Sequence, residues 1–344
     1  MMSNDFGELR SALHGEPSVT DWERLCAAAD AWDDDRFADE ALAYVLEELE
    51  DWPDEVREAP PEWCEMAREG RFASRLALAC MFPEVTLDDD LFAKWLDAPA
   101  MRNVHTLALG GIEDHELIER LAEGSELRRV KRLELENISI GLEVFRQLVE
   151  SEHMTQMEWF NVGWTRLSSD EAGVLMGAAP WRNLEYLHIE GNGIYEEGGV
   201  ALVTSPHLVS LKHLRLGWND IGDATCRALA YDAIFTAQLV ELGVENNSIH
   251  DEGGVALCSS YKLSNLVELD LYNNAFTQKV ARAVAENPAL SKVVKFDLNE
   301  NVIGDEGRRL LRDSPHLTEE LKSKVDRFGD DMNKMSYDEG DGDD

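Results

Sequence analysis

The sequence is short of cations. Lys and Arg number 32 against 69 Asp and Glu, a formal net charge of −37 over 344 residues, and no lysine occurs before Lys94. Such a chain repels phosphate backbones and anionic lipid surfaces, which argues against nucleic-acid and membrane-surface roles. Basic proteins and basic peptides remain as natural partners, and adaptation to a salty medium would give the same acidity without a partner. Cysteine is also sparse: Cys26, Cys64, Cys80, Cys226 and Cys258 form an odd, scattered set with no C-x-x-C. That pattern predicts buried thiols in a reducing compartment rather than disulfides or a zinc site. No apolar run approaches the ~18 residues of a membrane span. The opening MMSNDFGELRSALHGEP has neither a basic nor an apolar leader region, so a cytoplasmic protein is expected. Phosphate-binding G-x-x-x-x-G-K-[ST], H-E-x-x-H and G-x-S-x-G are all missing, and no enzyme, cofactor or metal is predicted.

What is present is a repeat. Hydrophobic residues make up 44% of the chain, enough for a sizeable core. Five segments, starting at Leu184, Leu211, Leu239, Leu266 and Val293, read L-x-x-L-x-L-x-x-N-x-I with conservative replacements. Their asparagines, Asn192, Asn219, Asn247, Asn274 and Asn301, are spaced 27, 28, 27 and 27 residues apart. Three looser copies start at Val104, Val130 and Met154, with Ile112, Ile138 and Val162 where asparagine would stand. The eight starts are 26, 24, 30, 27, 28, 27 and 27 residues apart. The L-x-L alternation has the two-residue period of a strand with one apolar face. An asparagine amide can satisfy backbone groups where the chain leaves that strand. A helix-like apolar pattern follows each copy, and a unit of about 27 residues cannot bury its own face, so neighbouring units must stack.

These frames resemble the leucine-rich repeat family, in particular its cytosolic ribonuclease-inhibitor-like subtype, whose strand-to-helix link is similar to the stretches at 249–254 and 303–307. The resemblance spans about residues 101–313. It implies an α/β right-handed solenoid of about eight repeats, a horseshoe with parallel strands on the concave side and helices on the convex side.

Outside the array, residues 1–100 carry helical apolar spacing over 21–32, 36–49, 61–69 and 71–81, punctuated by Pro53, Pro60, Pro61 and Pro83. Five of the nine tryptophans lie here: Trp22, Trp32, Trp52, Trp63 and Trp95. This predicts an α-helical domain capping the open end of the array. Residues 314–335 supply a closing amphipathic helix, and 336–344 form a solvated acidic tail.

In the implied architecture the residues flanking the strand leucines project from the concave face in three rows. One runs Thr106, Arg132, Gln156, Tyr186, His213, Glu241, Glu268 and Lys295. The next runs Ala108, Glu134, Glu158, His188, Arg215, Gly243, Asp270 and Asp297. The third runs Gly110, Glu136, Phe160, Glu190, Gly217, Glu245, Tyr272 and Asn299, with Trp218 one residue beyond it. Aromatics (Phe160, Tyr186, Trp218, Tyr272) among carboxylates (Glu190, Glu241, Glu245, Glu268, Asp270, Asp297) are a composition suited to gripping a basic partner. His188 and His213 with nearby glutamates lack a rigid third ligand, so no metal is assigned. The expected function is a non-catalytic module binding a basic protein or peptide on this face. The alternative is a regulator of an enzyme: an inhibitor of a basic enzyme, or a GTPase-activating protein using Arg132 or Arg215. Oligomeric state is not legible.

Overall fold

The computed structural model describes residues 5–14, 17–49, 52–53, 56–60, 63, 85–86, 93, 96, 105–110, 115–124 and 128–325. The expected helix at 71–81, that at 61–69 apart from Trp63, Cys64, Cys80 and the acidic tail at 336–344 lie outside them, and of the expected closing segment only 314–325 lies inside. The chain forms two compact units, Met1–Thr165 and Arg166–Asp344.

The first unit opens with helices α1 (Asp5–Leu13), α2 (Val19–Asp30), α3 (Asp34–Glu40) and α4 (Leu42–Glu48). Ser18 caps α2 by accepting from Asp21 N, which satisfies one of the N–H groups a helix start leaves unpaired. The continuous helix expected over 36–49 is broken at Ala41, whose φ of −121° is not helical. Tryptophan builds the core of this leader. Trp22 and Trp63 meet edge to face at 6.3 Å, and their indole N–H groups donate to Glu58 O and to Asp30 Oδ1. That fits the rule that a buried indole needs a hydrogen-bond partner.

The unit continues with β1 (Val85–Thr86), β2 (Thr106–Gly110), α5 (His115–Glu123), β3 (Arg132–Glu134), α6 (Gly141–Glu150) and β4 (Trp159–Asn161). The four strands pair in parallel, each with the next in sequence. Strand β1 falls within a region expected to be helical. It adds a β-branched pair against the edge of β2, whose backbone groups need partners.

The register of β4 corrects the sequence reading. Leu133 pairs with Phe160 and Glu134 with Asn161, so the third frame begins at Met157 rather than Met154. Met157, Phe160 and Val162 are fully buried, and Phe160 stacks on Phe145 at 6.4 Å. Phe160 is therefore a core residue and is withdrawn from the partner-binding set. Starts at Val130, Met157 and Leu184 are evenly 27 apart, and the irregular 24 and 30 disappear. Thr165 then takes the asparagine position, donating from Oγ1 to Val162 O.

The second unit holds α7 (Asp170–Ala178), β5 (Tyr186–His188), α8 (Tyr195–Val203), β6 (His213–Arg215), α9 (Gly222–Tyr231), β7 (Glu241–Gly243), α10 (Asp251–Cys258), β8 (Glu268–Asp270), α11 (Gln278–Glu286), β9 (Lys295–Asp297), α12 (Gly304–Arg312) and α13 (Glu319–Lys324). Strands β5 to β9 form a parallel series in which Leu187, Leu214, Leu242, Leu269 and Phe296 sit side by side. The four leucines are almost wholly buried, so the flanking residues of each strand face the other way. Helices pack closely on the far side. A Cβ on Gly198 would reach the backbone of Asp170, and one on Gly254 would strike the ring of Phe276 at 2.5 Å. The paired glycines at 198–199 and 253–254 lie in the first turns of α8 and α10, where neighbouring helices pack against them.

Asparagine locks these repeats together. Asn219 is fully buried. Its Oδ1 accepts from Asn192 N at 2.9 Å and Ile194 N at 3.4 Å. Its Nδ2 donates to Ile189 O, Leu216 O and Gly217 O. Asn247, Asn274 and Asn301 repeat the arrangement, each accepting from the asparagine before it.

Candidate functional site

The outward face of β5–β9 is built by register. Reading across the strands, Tyr186, His213, Glu241, Glu268 and Lys295 form one row, and His188, Arg215, Gly243, Asp270 and Asp297 the next. Neighbouring strands lie about 4.8 Å apart, so ionised side chains in a row feel each other strongly. Six carboxylates in and just beyond these rows face two permanent cations, Arg215 and Lys295. The remaining excess of negative charge is what a ligand would meet.

Arg215 is the internal counter-ion. Its guanidinium bonds Glu241, lies 3.2 Å from Glu268 and 3.9 Å from Glu190. Burial opposes its charge, but Glu241 and the other acids outweigh burial and raise its pKa. Lys295 pairs with Glu268 at 2.9 Å, and His213 Nδ1 meets Glu241 Oε2 at 3.0 Å. The Tyr186 ring lies 5.8 Å from that of His213. His188 is buried, with Nε2 3.0 Å from Glu190 Oε2.

Two carboxyls here are driven apart in acidity. Burial, then the charges of Glu190 and Asp270, push Glu245 up to about 8. Glu190 goes the other way: burial works against its ionisation, but hydrogen bonding and charge from His188, with help from Glu245 and Arg215, hold it below the usual carboxylate range. Burial also raises Asp270, despite a hydrogen bond from Tyr272 N. A raised acid beside a lowered one is the mark of a shared proton.

Trp218 stands apart from these rows. It follows the strand in a left-handed backbone conformation, φ 58°, and is 52% exposed. The equivalent positions hold Asn246, Asn273 and Glu300, all at positive φ, and Gly191. A tryptophan there costs about 1 kcal/mol or more that glycine would avoid. It walls an open cleft of about 400 Å³ shared with Asp220, Asn246, Ser248, His250 and Asn273. Tyr272 is half-buried beside Asp270. The sequence rows thus place Tyr186, His188, Glu190, His213, Arg215, Glu241, Glu245, Glu268, Asp270, Tyr272 and Asp297 on or at the end of the strand face, and Trp218 on its loop edge. Sequence reasoning missed Trp159 and Trp164. Trp159 packs under Arg132, 3.8 Å from ring centroid to guanidinium carbon, and Trp164 is 40% exposed; the corrected frame from Met157 would have found both.

Among the described residues, no group of three or more His, Cys, Asp or Glu side chains is arranged to hold a metal. None of their helices is long and apolar enough to cross a membrane. Cys26, Cys226 and Cys258 are buried free thiols, and burial pushes Cys258 up to about 12, far from a reactive thiolate.

The family profile of the leucine-rich repeat matches residues 182–203, 207–230, 239–258 and 289–311. The chain carries leucine-rich repeats over these residues. Among solved structures, this repeat protein is similar to a chain of the yeast Rad7–Elc1 complex, at 12% identity over 91% of this chain and 87% of that one, with a TM-score of 0.50. An internalin from Listeria monocytogenes matches at 17% identity over 74% and 69%, with a TM-score of 0.45. The Arabidopsis receptor kinase HAESA ectodomain, in complex with an extended IDA peptide hormone, matches at 12% identity over 69% and 48%, with a TM-score of 0.31. No curated protein matches the sequence. These likenesses concern the fold. Leucine-rich-repeat domains generally mediate protein–protein interaction.

Proposed function

We propose that the chain is a non-catalytic binding module that takes a basic protein or peptide on the acidic face of β5–β9. The observation that carries this reading is the uncompensated charge of that face: Arg215 and Lys295 are each already engaged by carboxylates, yet Asp270, Asp297 and the Glu190–Glu245 pair retain excess negative charge. Like charges held this close repel, and a cationic ligand relieves the repulsion. Tyr186, Tyr272 and the exposed ring of Trp218 add apolar contact area at the rim, where aromatic anchors supply much of the affinity in protein interfaces. The similar solved chain of the yeast Rad7–Elc1 complex comes from an assembly of two proteins, which agrees with this class of role.

The same geometry weighs against a GTPase-activating role. Arg215 is held by three glutamates, and Arg132 is stacked on Trp159 and paired with Glu134 at 2.9 Å, so both guanidinium groups are already engaged. Inhibition of a basic enzyme remains one form of the binding role. The test is affinity capture with the native chain and with a Glu241→Lys/Asp270→Lys variant. Loss of the captured basic protein in the variant, with association slowed by added salt, is expected. Equal capture by both proteins refutes the assignment to this face.

A further inference from the structure

Glu245 is an anomaly on the acidic face. It is only 9% exposed, and its carboxyl group lies against Gly217, just past β6, and Gly243 of its own strand β7. A Cβ on Gly217 would collide with its Oε1, and one on Gly243 would come within 2.8 Å of its Oε2. Those glycines leave the room in which the side chain lies down. Glu245 Oε2 is fully enclosed and makes no hydrogen bond, and Oε1 of Glu190 is likewise buried without a hydrogen-bond partner. A carboxylate in that position, enclosed and without a donor to Oε2, carries a large desolvation penalty. A neutral carboxylic acid donating to Glu190 does not.

The surrounding charges define what would lift it out. From β5 it is faced by His188 and Glu190; from β6 by Arg215, with His213 further along the strand. From its own strand comes Glu241, which Arg215 and His213 already satisfy. From β8 come Asp270 and Tyr272, with Glu268 tied to Lys295 of β9 and Asp297 beyond. Among the described residues the permanent cation near the pair is Arg215, and its bonds run mainly to Glu241 and Glu268.

We propose that the Glu190–Glu245 pair above Gly217 and Gly243 is the seat for one guanidinium group of the bound chain, and that Glu245 gives up its proton in exchange for that cation. This rests on the reading of the face as a site for a basic partner. In the unliganded protein Glu245 is tucked, protonated, against the glycine floor. When an arginine arrives, its planar fork of N–H donors replaces the proton between the two carboxyls, a geometry in which guanidinium exceeds ammonium. The proton passes to solvent, and no other bond changes.

The experiment is calorimetric titration of the full chain with an acetylated, amidated tetra-arginine peptide at pH 7, in phosphate and in Tris, so that the difference in heat counts protons. Release of ~1 proton per complex is expected, with affinity rising roughly tenfold per pH unit between pH 6 and 7.5. In Glu245→Gln both the proton release and the pH dependence should vanish while weaker binding persists. Binding without proton release, or release that is unchanged in Glu245→Gln and so comes from the histidines, overturns the inference and leaves the acidic face standing as a site. No binding of the peptide to either protein overturns that reading and this inference together.

Discussion

Replacing Asn219 by alanine probes the array at its most connected point. The native amide accepts from Asn192 N and Ile194 N and donates to three carbonyls, all within a fully buried turn. Alanine leaves two buried N–H groups without an acceptor and removes both side-chain donors. At about 1–3 kcal/mol for each buried group left unsatisfied, the expected loss is ~3–5 kcal/mol, a large share of the ~5–15 kcal/mol that stabilises a typical domain. Asn273→Ala is the matched control. Asn273 is exposed, its side chain donates to Asn246 Oδ1 at 2.6 Å, and it owes its identity to a φ of 48°, so its loss should cost ~1 kcal/mol. Asn219→Asp separates donor from acceptor: it keeps the acceptor but turns a carboxylate toward the carbonyls of Ile189, Leu216 and Gly217. It should be at least as damaging as alanine at pH 7 and partly relieved near pH 4, where the acid carries a donor. Urea unfolding followed by circular dichroism measures all three. If Asn219→Ala falls within ~1 kcal/mol of Asn273→Ala, the amide is not what joins the repeats.

Four further outcomes are expected. Because the folded pKa of Glu245 is raised to about 8, the fold holds a proton that the unfolded chain loses above its ordinary carboxylate range. Stability from this group should therefore fall by a few kcal/mol as pH rises toward 8, and Glu245→Gln should flatten that slope in denaturation curves taken from pH 5 to 9. Arg215→Gln strands Glu190, Glu241 and Glu268 without their shared cation; a loss of ~2–4 kcal/mol that shrinks in molar salt is expected from unfolding at two ionic strengths. Gly217→Ala places a methyl group where Glu245 Oε1 lies, so it should shift the Glu245 carboxyl resonance toward ordinary titration in carbon-13 spectra. Trp218→Gly removes left-handed strain and should leave stability unchanged or raised by ~1 kcal/mol while weakening partner capture; a large destabilisation would mean that the ring is structural.

Much of the fold was legible because the repeat encodes it redundantly. Leucines two apart fix which face of each strand is buried, and the asparagine interval fixes the stacking, so β5 to β9 follow from the sequence. The frame containing β4 was misread because its asparagine is replaced by Thr165, while Met154, Met157, Trp159 and Phe160 offer two apolar frames three residues apart. Only the even spacing to its neighbours distinguishes them. Strand β1 was illegible for a different reason: two residues carry no periodicity, and its pairing depends on the edge of β2. On the candidate face, register located the rows but not the conformations. Nothing in the letters Gly217, Gly243 and Glu245 says that two missing side chains let a third lie down. Nor does Trp218 announce a left-handed backbone, since tryptophan is a poor choice for it.

The amide ladder also has a direction. Each asparagine side chain serves the turn before it: Asn247 takes the N–H of Asn219, Asn274 that of Asn247, and Asn301 that of Asn274. Stripping away the last rung orphans donors in the one preceding, whereas stripping away an earlier rung frees an amide that still reaches carbonyls of its own turn. Fraying should thus propagate more readily from the carboxyl end than from the amino end. A chain pulled at both termini would then unzip with a polarity written into its asparagines.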